Sequence, residues 1–169
     1  MGIFFSGREL VNIAIGFERK GVAFYDSLVS STKDATARGT YQILASKQRE
    51  HIEIFQKMLG SVGDYQPPET YTEEYDLYLK ALVDSVGFSD EQIARGMAKM
   101  AKEVGSEKVG SEAVALQIGM GAEEYMILFY SEMRVLVRRS DREVLNRIIE
   151  EGRSHLRKLL DLKRSLSKR

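Results

Sequence analysis

IGFERKGVAFY (Ile15–Tyr25) and MGAEEYMILFY (Met120–Tyr130) are two copies of one pattern. Gly16, Glu18, Phe24 and Tyr25 recur as Gly121, Glu123, Phe129 and Tyr130, and the second copy follows the first by about 105 residues. Both copies lie in segments whose apolar residues keep a helical spacing. Glu18 shares its stripe with Val11, Ala14, Ile15, Gly21, Val22, Tyr25, Leu28 and Val29, and Glu123 shares one with Leu116, Met120, Met126, Ile127 and Tyr130. A carboxylate in the middle of an apolar stripe is predicted to be buried.

Each copy is followed by a second helical segment that carries a histidine on its apolar face. QREH (Gln48–His51) places His51 with Leu44, Ala45, Gln48, Phe55 and Met58. EEGRSH (Glu150–His155) places His155 with Leu145, Ile148, Leu156, Leu159 and Leu162. The histidines are spaced like the glutamates, so the chain reads as two related helical hairpins. The helices are predicted over about 7–30, 34–59, 111–137 and 141–166, with a crossover over 60–110. Ser6-Gly7-Arg8-Glu9 reads as a capping box for the first, with Phe5 and Leu10 at the staple positions, and Ser140-Asp141-Arg142-Glu143 as one for the last. Inside the crossover, Glu73 to Val86 is weakly helical, and Ser89-Asp90-Glu91-Gln92 caps a further short helix with Phe88 and Ile93 as its staple pair. Strand signals are absent. Short links join antiparallel neighbours, while a long link lets the chain cross the length of a bundle. The expected fold is therefore all-α: an antiparallel four-helix bundle with one long crossover containing short helices. A bundle without the crossover, and a flat helical array, satisfy the same pattern.

Composition narrows the function classes. The 169 residues suit a single domain. There is no cysteine, which excludes disulfides, thiolate metal sites and thiol nucleophiles. Lys plus Arg equals Asp plus Glu, 25 each, so nothing in the charge points to nucleic acid. No apolar run approaches the roughly 20 residues of a membrane span. Gly2 with Ser6 matches a myristoylation pattern, but Ser6 is better read as a helix cap. The expectation is a soluble, cytoplasmic protein with no nucleic-acid or membrane partner.

Four polar groups at matching depth need an account. Buried ionised groups cost several kcal/mol each unless they are paired or bind a metal. Two Glu–His pairs can satisfy one another in a closed hydrogen-bond network, with Gln48 completing it, and no ion is then needed. Two carboxylates and two imidazoles between four helices are also a metal-ligand inventory.

These stretches, with LASKQREHIEIFQKML on the second helix and VLNRIIEEGRSHLRKLLDLK on the fourth, resemble a rubrerythrin-type member of the ferritin-like di-iron superfamily over nearly the whole chain. The resemblance implies two irons held by four glutamates and two histidines, a homodimer, and oxidoreductase chemistry on O₂ or peroxide fed by an external electron donor. Glu18 and Glu123 match the terminal glutamates, and His51 and His155 the histidines. The two bridging glutamates of the family are replaced by Gln48 and Gly152, and a further family glutamate by Met126. The rubredoxin module with four cysteines has no counterpart. Two readings of the site follow: one divalent ion on Glu18, His51, Glu123 and His155, with Gln48 or Glu151 as an extra ligand, or a full di-iron oxidoreductase. Iron is the expected metal, with manganese and zinc as alternatives. Tyr25 and Tyr130, each two helical turns after its glutamate, lie on the same face as the carboxylates. Glu50 and Glu53 fall off the stripe and are predicted to be solvated. A third reading keeps the bundle without metal, as a structural or partner-binding module.

Overall fold

The computed structural model describes residues 7–62, 73–84 and 110–168. Four long helices dominate it: α1 (Gly7–Ser31), α2 (Ala35–Val62), α4 (Gly110–Leu136) and α5 (Arg139–Ser167), with a shorter α3 (Glu73–Asp84) between α2 and α4. No strand occurs among the described residues. Nor is any helix among them long and apolar enough to cross a membrane. The segments around Ser6 and Ser89, read above as capping boxes, lie outside the described residues.

Two apolar clusters fix the direction of each helix. One contains Leu10 and Phe17 from α1, Phe55 and Met58 from α2, Phe129 and Met133 from α4, and Leu145 and Ile148 from α5. The other contains Phe24 and Tyr25, Tyr41 and Leu44, Leu116 and Met120, and Leu159 and Leu162 from the same four helices. So α1 and α5 run from the first cluster to the second, and α2 and α4 run from the second to the first. The chain leaves α2 at one end of the bundle and enters α4 at the other. The end of α2 and the start of α4 therefore lie a bundle length apart, about 37 Å for a helix of 25 residues. This is the four-helix plan with one long crossover that the sequence predicts. In the crossover, α3 buries Leu79 and Leu82 in the first cluster, and the Tyr125 hydroxyl donates to the Leu82 carbonyl at 2.5 Å. Phe17 meets Phe129 edge-on at 5.1 Å, which seats α1 against α4.

The α1–α2 turn is built by side chains. Asp34 accepts from the Ala37 amide at 2.9 Å and caps α2, while Arg38 Nη2 donates to the Thr32 carbonyl at 2.8 Å and closes the end of α1. Thr32 and Tyr41 both donate to Glu112 on α4, at 2.9 and 3.1 Å. The start of α5 differs from expectation. Ser140 is not its cap: the helix begins at Arg139 behind Arg138, which has extended backbone angles and makes no side-chain capping bond. Asp141 instead turns back to Arg138, its carboxylate accepting from Nε at 3.1 Å and its amide donating to the Arg138 carbonyl at 2.9 Å. Fully buried Val137 anchors the turn just before it, so only two residues separate α4 from α5 and the helix must start early.

These two helix starts predict opposite outcomes. Asp34→Ala should lower the unfolding free energy by about 1 kcal/mol in urea titrations, as expected for a lost N-cap. Ser140→Ala should change it by less than about 0.5 kcal/mol, as for an exposed position without a structural role.

Candidate metal centre

Between the two apolar clusters lies a polar layer. Glu18, Gln48, His51, Glu123 and His155 are all buried there, none more than 3% exposed. The helical period delivers one of them from each helix at mid-height, and a second, Gln48, from α2. They form two Glu–His pairs related by the repeat. His51 Nδ1 lies 3.2 Å from Glu18 Oε1, and His155 Nδ1 lies 3.4 Å from Glu123 Oε2. The two imidazoles face each other nearly in parallel, with ring centroids 6.1 Å apart. Each carboxylate also accepts from a tyrosine of the other hairpin: Tyr130 donates to Glu18 Oε1 at 2.6 Å, and Tyr25 to Glu123 Oε1 at 3.2 Å. The tyrosines predicted on the carboxylate face are thus direct partners of those carboxylates, each across the bundle rather than on its own helix.

The groups enclose a cavity with about 10 Å³ of free room, enough for one water-sized occupant. Its lining includes all four paired groups, Gln48, Gly152, Tyr130, and three apolar residues, Met126, Ile127 and Ile148. Three polar atoms in this layer are buried without a hydrogen-bond partner: Glu18 Oε2 and both amide atoms of Gln48. The closed network in which Gln48 completes the Glu18–His51 pair is therefore not what forms. The Gln48 amide lies over Gly21 on α1, so close that a Cβ there would collide with it. Among the described residues, no three acidic or histidine side chains are already gathered at ligating range. The donors stand as two pairs.

Glu151 does not enter the cavity. Its carboxylate meets the outer nitrogen of His51, Nε2, at 3.0 Å, on the ring edge away from Glu18, and its side chain is 40% exposed. The sequence reading offers it as an extra ligand; here its carboxylate is engaged with the imidazole. Its position suits a group that orients the imidazole: Nε2–H donates to Glu151, which turns Nδ1 toward Glu18. The residue four before His51 is Lys47, so the second helix of the first hairpin has no equivalent. Glu50 and Glu53 are exposed, as predicted. Ile127, Ile148 and Gly21 were not singled out by sequence. Helical spacing places Ile127, Ile148 and Gly21 on the Glu123, His155 and Glu18 stripes, but their roles depend on which helix each faces across the bundle.

The electrostatics follow from burial and pairing. Burial alone lowers the His51 pKa, but its hydrogen bonds and charge interactions with Glu18 and Glu151 outweigh this and raise it above the usual value. Burial raises Glu123 above the ordinary carboxylate range, and His155 offsets only part of this. Burial opposes ionisation of Glu151 too, yet contact with His51 and the nearby Lys47 bring it below the usual value. Tyr25 and Tyr130 are pushed well above 10, by burial first and by the facing carboxylates second, so both remain proton donors.

No protein-family model and no curated protein sequence matches the chain. Among solved structures, it is similar to the crystal structure of a candidate ferritin-like diiron-carboxylate protein from Thermotoga maritima. The two are 25% identical, with 95% of this chain and 96% of that one covered and a TM-score of 0.64. The chain thus has the ferritin-like diiron-carboxylate fold. The closer kinship with rubrerythrins rests on the sequence motifs alone.

A histidine whose folded pKa is raised contributes stability that is complete below its unfolded pKa, about 6.5, and lost as pH rises through the folded value. In chelator-treated protein, the His51 ring protons should titrate with a midpoint above 6.5 by NMR, and stability should fall as pH passes that midpoint. Glu151→Gln should move the midpoint down.

Proposed function

We propose that the chain binds one divalent cation between Glu18, His51, Glu123 and His155, as a reduced form of the di-metal carboxylate centre. Iron is the expected ion, with manganese and zinc as alternatives. The observation that carries this reading is the buried, unpartnered Oε2 of Glu18 beside a cavity lined by both histidines and both glutamates. An unpaired carboxylate oxygen in a low-dielectric core is costly, and a cation is the partner that this donor set suits. Two carboxylates neutralise one divalent charge. A second ion would find no bridging ligand, because position 152 carries no side chain and the Gln48 amide is neutral.

The residues divide the work. Glu18 and Glu123 would supply charge, and the Nδ1 atoms of His51 and His155 neutral donors. Tyr130 and Tyr25 hold the carboxylates in place by donating to them. Glu151 fixes the His51 ring from outside. Nδ1 of His51 must lose its proton before it can act as a donor, so affinity should weaken in acid. Such an ion supplies, when bound, Lewis acidity and, for iron or manganese, one-electron exchange.

The test is metal content per chain after anaerobic loading with Fe(II), Mn(II) or Zn(II) and removal of loose ion. One ion is expected. At an ion concentration of 100 times Kd, it should add about 2.7 kcal/mol to stability, an increment that chelator removes. Glu18→Gln with Glu123→Gln should abolish uptake. A chain that takes up no ion, and whose melting temperature ignores chelator, is the metal-free bundle instead. Two ions per chain would return the centre to the di-iron class.

A further inference from the structure

The two hairpins carry similar bulk beside the polar layer but hang it from opposite helices. In the first, Gly21 on α1 leaves room and Gln48 on α2 fills it. A Cβ on Gly21 would lie 2.7 Å from both Cδ and Nε2 of Gln48 and closer still to Oε1. In the second hairpin the repeat puts Met126 where Gly21 stands and Gly152 where Gln48 stands. The long side chain has moved from the second helix to the first. Met126 and its neighbour Ile127 line the cavity from α4, and no side chain answers them from position 152 on α5.

Position 152 still aims at the polar layer. A Cβ built there would stand 3.8 Å from Glu123 Oε2, but it would first meet Ile127, 3.1 Å from Cγ1 and 3.7 Å from Cδ1. Ile127 cannot yield easily. It is β-branched and sits in a helix, where χ1 is almost confined to one rotamer. Gly152 is therefore matched to its neighbour across the helix pair, although glycine costs about 1 kcal/mol in helix propensity relative to alanine.

We infer that Ile127, with Met126 beside it, restricts the centre to a single divalent cation by occupying the room through which a carboxylate from α5 would reach the second metal position. The cation count rests on the one-ion reading above; the packing relation does not. Ile127 then bars a second metal position even where carboxylates are restored at 48 and 152, and substitution of those positions alone cannot rebuild a bridged pair.

Two experiments separate these parts. The first is a thermal-unfolding cycle in chelator, which needs no metal. Alanine is the better helix former, so Gly152→Ala should raise the melting temperature wherever nothing opposes it. The expected result is a lower melting temperature for Gly152→Ala in the wild-type background and a higher one in the Ile127→Ala background. An equal rise in both backgrounds overturns the steric role of Ile127. The second compares Zn(II) or Fe(II) content in Q48E/G152E with that in Q48E/G152E/I127A. One ion per chain with Ile127 present and two with it removed is the expected pattern. The same count in both overturns the inference. Wild-type protein that binds no cation overturns the one-ion reading instead, and the chelator cycle then decides the packing relation on its own.

Discussion

Everything in this bundle is arranged around carboxylates buried at mid-height. Glu18 and Glu123 sit between two apolar clusters, far from either end of the helices. An ionised group so placed is tolerated only when it is paired and hydrogen-bonded. Each carboxylate has a histidine from the second helix of its own hairpin and a tyrosine from the first helix of the other. The tyrosine bonds cross. If either hairpin slid by a helical turn, both carboxylates would lose their phenol partners and both phenols would be buried unbonded. The polar layer therefore fixes the register of the two hairpins, while the apolar clusters above and below it supply the driving force for their association.

Within that frame the repeat is broken in three places, and the breaks are physically related. Glu151 reaches the outer edge of His51, whereas its repeat partner Lys47 offers His155 no carboxylate. Gln48 extends into the layer where Gly152 does not. Gly21 makes room where Met126 takes it up. One half of the centre is thus polar, oriented from outside by Glu151 and carries all three unpartnered atoms; the other is lined by Met126 and Ile127. An occupant of the cavity would meet a different environment on each side, and the pairs differ too: Glu18 takes both its partners on Oε1, whereas Glu123 takes one on each oxygen.

The helical plan was legible in the sequence because it depends on periodicity. The Glu18 and Glu123 stripes, the histidine stripes and the long gap between Leu59 and Ser111 together define four helices and one crossover, and the structure has that architecture. The burial of Glu18, His51, Glu123 and His155 was legible for the same reason: a residue's place on its own helix follows from its spacing. What escaped was set by distances between helices. Glu151 falls within reach of the His155 face on a helical wheel, yet it crosses to α2 and meets His51. The clash waiting at Gly152 comes from Ile127 on α4, some 25 residues earlier in the chain, and no wheel of α5 contains it. The start of α5 was misread because Ser140 has the spacing of a capping box, while buried Val137 and the very short turn require the helix to begin before it.

The unpartnered atoms bear on how the layer came to equilibrium. If Gln48 and Gly152 were simply neutral replacements in a closed network, the Gln48 amide could bond the adjacent carboxylate, since it carries two donor hydrogens and Glu18 Oε2 is an acceptor with no partner. Instead the amide is seated over Gly21, and Oε2 is left without a partner. Gln48 and Gly152 add no charge to the layer, and the charge of Glu18 and Glu123 still has to be neutralised. Tyrosine donation eases that need but cannot meet it, because a phenol whose pKa lies well above 10 keeps its proton and contributes no net positive charge. A protonated His51 can balance one carboxylate. It cannot balance two, and Glu151 already shares it. Charge accounting of the layer therefore comes down to protons held within the two Glu–His pairs, or a cation between them. These alternatives exchange with one another through proton release, so pH and metal act on the same few atoms of this core.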